Sequence, residues 1–191
     1  FNTIPAFTSS SGNGGAQLGA LTIDAAGDWS YAVDNSAAAV QALDDGESIV
    51  EVYTVSTIDG NDDQIITITI DGTNDAPELT VDTAGAVTED ASVTTLTDTG
   101  ALSFSDEDTT DTVTVACSYN TDVVWSGGAL TAGQVTALTA GFTNDTDSWD
   151  YAVANADTQF LADGETVTFS YDVTATDNNG ATDTDTVTVT L

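Results

Sequence analysis

The sequence predicts an all-β protein of antiparallel β-sandwiches. Three observations predict it: segments in which apolar and polar residues strictly alternate, clusters of Gly, Asn and Asp between them, and an internal repeat of the whole pattern. Along the chain, "IITITI" (65–70) alternates with Thr on one face, and "ELTV" (78–81) opens another strand after a short acidic break. In "TVTFSYDV", Val167, Phe169, Tyr171 and Val173 point one way and Thr168, Ser170 and Asp172 the other. "TVTVTL" (186–191) repeats the alternation at the C-terminal end. A period of two with β-branched enrichment marks half-buried antiparallel strands. The punctuation falls at "SSSGNGG", "DGNDD", "DGTNDAP", "TNDTD" and "DNNGA", residue types that favour turns. Helix-like pieces are short, around "SAAAVQALDDG" and "NADTQFLADG".

The repeat sets the domain organisation. "WSYAVDN" (29–35) matches "WDYAVAN" (149–155) at an offset of 120 residues. "QALDDGES" matches "QFLADGET", and "YTVSTID" matches "YDVTATD", both at an offset of 118. "ITITI" from Ile66 matches Val187–Leu191 at an offset of 121. The difference falls in acidic loops, where insertion costs least. Residues 1–72 read as the C-terminal part of a first module, 73–77 as an acidic linker and 78–191 as a second module. "TGALSFSDEDTTDTV" (99–113) has no counterpart before Phe1, so the first module reads as truncated at its N-terminal side. Two accounts stay open: a longer polypeptide that supplies those strands upstream, or a polymerising subunit whose neighbour donates them.

Charge narrows the function. The 191 residues carry a formal net charge of −32, with no Lys, Arg or His, while 40% are hydrophobic. That apolar fraction suffices for a core, so acidity alone does not imply disorder. No carboxylate has a cationic side chain to pair with, and the self-repulsion opposes compaction. Cations from solution must offset it. Nucleic acid is excluded as a partner, because nothing here neutralises a phosphate. No apolar run is long enough to span a bilayer. Catalysis finds little support, since His and Lys, the usual bases and activating groups, are absent. The lone Cys117 forms no internal disulfide and reads as a small buried apolar residue. Trp29 and Trp149 read as packing residues, and "NDT" (144–146) fits an N-glycosylation acceptor. Asp62, Asp63, Asp145, Asp147, Asp183 and Asp185 read as solvated loop charge.

The oxygen-rich linker favours a hard cation, Ca²⁺, over zinc or copper. "GALTIDAAGDWSYAVDNS…VQALDDGES" followed by "DGTNDAP" resembles the VCBS repeat of giant bacterial RTX-type adhesins, and the second module resembles a more divergent cadherin-like repeat. The resemblance covers essentially the whole chain. It implies tandem Ig-like, cadherin-like sandwiches with calcium at each linker. By that likeness the linker ligands are Asp71, Asn74 and Asp75, joined by Asp45 and Glu47 of "LDDGE", Asp106 and Asp108 of "DED", and Asp177 of "TATDNNG". Thr73 stands where cadherins have Asn. Glu89, Asp163 and Glu165 would serve a following linker. The implied function is an extracellular or cell-surface adhesin spacer with partners in neighbouring modules. A self-assembling filament of copies of the chain and a glycan-binding module of a secreted protein are the alternatives.

Overall fold

The computed structural model describes residues 1–90 and 92–191, and the protein is an all-β sandwich protein built mainly from antiparallel strand pairs. The chain divides into two compact units: Phe1–Asp75 with Glu107–Asp111, and Ala76–Asp106 with Thr112–Leu191. The main division falls between Asp75 and Ala76, and the short segment Glu107–Asp111 belongs to the first unit.

Unit 1 begins with β1 (Ala6–Ser11), which extends into the "SSS" expected to be turn. A two-stranded sheet follows, β2 (Gly19–Ile23) and β3 (Trp29–Val33), with Leu21 opposite Tyr31 and Ile23 opposite Trp29. One helical turn, α1 (Ala38–Gln41), leads into β4 (Ser48–Ser56) and β5 (Asp63–Asp71). The three-stranded sheet runs β1-β4-β5. β4 buries every second residue, as its alternation demands. Leu21, Ile23, Tyr53 and Val55 form the core cluster, with Phe7, Tyr31, Ile66 and Ile68 packed around it.

Unit 2 contributes β6 (Glu78–Val81), β7 (Ala84–Ala86), β8 (Thr95–Ser105), β9 (Thr114–Tyr119), β10 (Val124–Trp125), β11 (Phe142–Asn144), β12 (Ser148–Ala154), β13 (Val167–Thr176) and β14 (Thr182–Thr190). One sheet runs β11-β12-β8-β6. In the other, β13 is central: β14 lies along one side, β9 and β10 pair with it as well, and β7 joins β14 in parallel. The core is aromatic. Phe142 stacks on Tyr171 at 4.2 Å between ring centroids and on Trp149 at 5.4 Å. Trp149 fits flat because two glycines face it. A Cβ at Gly100 would lie 2.3 Å from its indole, and one at Gly85 2.8 Å. Its indole N–H donates to the Asp82 carbonyl at 2.8 Å.

Sequence alternation did not foresee α2 (Ala132–Thr139). Its start is a capping box: Gln134 N–H donates to the Thr131 hydroxyl, and Thr131 N–H donates to the Gln134 side chain. The helix-like segment at 155–164 forms only a short 3₁₀ turn at Asn155–Asp157. Trp29 departs from its expected packing role: it is 52% exposed, whereas Trp149 is fully buried. Asp183 departs too. It lies in β14, and its carboxylate accepts the Leu79 N–H at 2.8 Å. Asp62 and Asp145 are exposed, as expected of solvated charge. Cys117 is half-buried in β9 rather than sealed, and burial raises its thiol above the ordinary value.

Candidate metal centre

Within unit 1, "LDDGE" folds as a tight turn between α1 and β4. Glu47 N–H donates to the Asp44 carbonyl at 3.0 Å, and the Glu47 carboxylate accepts the Asp44 N–H at 3.3 Å. Gly46 sits at φ +83°, in the left-handed region that glycine adopts most cheaply. Asp44 is thereby turned inward (9% exposed) and Asp45 outward. Gly72 N–H donates to the Glu47 carbonyl at 3.0 Å. A Cβ at Gly72 would lie 2.3 Å from the Leu43 carbonyl oxygen, so "DGTNDAP" needs its glycine to press against this turn.

The segment Glu107–Asp111 brings in two more carboxylates. Asp108 is 1% exposed and its Oδ2 accepts the Asp75 N–H at 2.6 Å. One oxygen each from Asp44, Asp108 and Asp111 lies within 4.8 Å of the others. At that separation two like charges repel by roughly 3 kcal/mol at an effective dielectric near 20. No cationic side chain exists in the sequence to relieve them. The donor set is all oxygen, which suits a hard divalent cation. Asn74 sits in the adjoining loop, with its side-chain amide donating to the Asp75 carbonyl at 2.8 Å. Asp71 and Asp75 line a polar cleft of unit 1 together with Asn35, Gln41 and Thr73.

The expected ligands are therefore divided. Asp108 is in the cluster, and Asp75 binds it through the backbone. Asp45 is exposed and gives only its N–H, to Asp44. Glu47 braces the turn, and Asp71 closes β5 on the surface. Sequence reasoning missed Asp44 and Asp111. For Asp111 a signal was present, the third aspartate of "DEDTTD"; for Asp44, beside an identical Asp45, the sequence held none. Within unit 2, Asp106 and Asp177 bring carboxylate oxygens within 4.8 Å of each other. Asp177 is buried and caps its own turn, accepting the N–H groups of Asn179 and Ala181 at 2.9 and 2.8 Å. At another place in unit 2, Glu89, Asp163 and Glu165 line one cleft of about 410 Å³. Glu89 there accepts from Gln159, and Glu165 from the Ala162 N–H. Among the described residues, those three do not form a converging carboxylate group.

Fold and site together define an all-β sandwich protein with a buried acidic cluster. The chain matches no protein-family model and no curated protein.

Proposed function

We propose that the chain is a calcium-binding structural module of an extracellular, cell-surface adhesin, a spacer that works by holding shape rather than by catalysis. One observation carries the reading: three carboxylates, two of them buried, converge in unit 1 of a protein with no cationic side chain. Asp44, Asp108 and Asp111 would hold Ca²⁺, with backbone carbonyls and water completing its six to eight oxygens. The ion offsets the repulsion among them and keeps the Glu107–Asp111 segment on the Asp44 turn. A cation bound only by the folded state adds stability by mass action, about 2.7 kcal/mol at one hundred times Kd. The likeness of "GTNDAP" and "LDDGE" to VCBS and cadherin repeats supports the spacer role, as does the absence of His and Lys that catalysis would use.

Calorimetric titration with Ca²⁺, beside melting curves in Ca²⁺ and in chelator, tests the reading. Saturable binding and a higher melting temperature are expected. Equal melting in both, with no heat of binding, would refute the calcium role.

A further inference from the structure

In unit 2, β9 and β10 meet β13 along the same side, and the chain between them is too long for the gap. β9 pairs as far as Tyr119 opposite Tyr171, and β10 begins with Val124 opposite Thr168. Tyr119 to Val124 is five positions, while Thr168 to Tyr171 is three, so the joining segment carries two residues in excess. Such a bulge interrupts the ladder, and its backbone groups need other partners. A side chain supplies one here. The Asn120 N–H donates to the Ser170 carbonyl at 3.0 Å, but the Ser170 N–H donates to Asp122 Oδ1 at 2.9 Å rather than to a strand carbonyl. Ser170 Oγ donates to Asp122 Oδ2 at 2.6 Å. The Asn120 side-chain amide donates to Ser170 Oγ and to Asp172 Oδ1, each at 2.9 Å. Ser170 is 7% exposed beneath this strap, while Thr121 and Asp122 lie on the surface.

The strap is closed against backbone strain. Thr121 has φ +57°, and among the described residues it is the one non-glycine at positive φ. That region crowds Cβ against the following carbonyl, and a β-branched residue tolerates it poorly. Its side chain is exposed, so packing does not hold it there. We propose that residues 120–122 form a strained latch. The Asp122 carboxylate, bonded twice to Ser170, holds Thr121 in the left-handed conformation and fixes the register at which β10 joins the sheet. The latch thereby decides where Trp125 lands. Closed, it sets Trp125 opposite Val167 and edge-on to Phe160 at 5.0 Å between ring centroids. Opened, it lets Thr121 relax and β10 slip, and a slip of one residue turns Trp125 to the other face. Asp172, held by Asn120 on the same spot, repels Asp122 and favours opening, with no cationic side chain in the sequence to oppose it. This inference stands apart from the calcium reading and needs no metal.

The test is a double-mutant cycle in the full chain, with Asp122→Ala, Asp122→Asn and Thr121→Asn. Asparagine tolerates the left-handed region better than threonine. Thr121→Asn should therefore raise the melting temperature by about 4 °C. In the Asp122→Ala background that gain should vanish, because the strain has already relaxed. Hydrogen exchange at the Ser170 amide should quicken at least tenfold in Asp122→Ala and stay near the native rate in Asp122→Asn, which keeps an acceptor. The Val167 amide, bonded to the Leu191 carbonyl, is the control for global unfolding. If Val167 loses protection in Asp122→Ala, the same comparison is made with Asp122→Ser, whose shorter side chain cannot bond Ser170 twice. An equal gain from Thr121→Asn with and without the Asp122 carboxylate would overturn the latch. So would no gain in the native chain, or Ser170 exchange that is unchanged when the carboxylate is removed.

Discussion

Asp108 is the residue on which the candidate site turns. It is buried, it accepts a backbone N–H from the linker, and it meets Asp44 and Asp111. Asp108→Asn keeps the shape and removes one charge, and should lower Ca²⁺ affinity at least tenfold in calorimetric titration. Asp145→Asn, on an exposed turn, should leave affinity unchanged. Equal losses would mean that bulk charge governs the response. Asp108 was legible only through the likeness of "DED" to a cadherin DxD motif. Asp44 was not, because two adjacent aspartates look alike in sequence and only the turn decides which faces inward. Glu51 shows the same limit. It is fully buried where the repeat places Phe169 in unit 2, and it accepts hydrogen bonds from Tyr31 at 2.9 Å, Tyr53 at 2.7 Å and the Leu18 N–H. Glu51→Ala orphans those donors, and denaturant unfolding should report a loss of about 1–3 kcal/mol. Glu51→Gln should recover part of it.

At the scale of elements, β3 and β12 are one sequence motif in two settings. Trp149→Ala should cost unit 2 about 3–5 kcal/mol, the usual penalty for emptying a buried tryptophan site. Trp29→Ala should cost about 1 kcal/mol or less, since half the side chain is already in water. Thermal melts of the two variants decide it. The central strands β4 and β13 also place tyrosines where titration reports on packing. Burial first, then the hydrogen bond to Glu51, pushes Tyr53 up to about 12. Burial likewise raises Tyr31, Tyr151 and Tyr171. A phenol whose folded value exceeds its unfolded value near 10 stabilises the fold fully below that pH. The contribution is lost as pH climbs from about 10 through the folded values. Urea midpoints should therefore fall steeply above pH 10. A flat profile to pH 12 would contradict the buried hydroxyls. Strand alternation made β4, β5, β13 and β14 readable in advance. α2 was not, because its eight residues hide one capping box among weakly patterned Ala and Thr.

For the whole molecule, charge is the governing quantity. With a net charge of −32, stability should rise with monovalent salt through screening and rise further with Ca²⁺ at equal ionic strength if a site is filled. Melting temperatures across matched NaCl and CaCl₂ series separate the two. Identical curves at matched ionic strength would leave screening alone.

By itself the sequence determined the all-β class, the repeat offsets of 118 to 121 residues, the strand faces and the predominance of oxygen among the groups open to a ligand. These follow from local periodicity and composition, which each residue carries wherever it lies. Tertiary structure alone decided that Trp149 is sealed and Trp29 is half in water, that Glu51 occupies a core position, and that Asp44 and Asp111 join Asp108. The reason is physical: burial and convergence depend on which distant strands arrive beside a residue, and nothing in its immediate neighbours records whether they do.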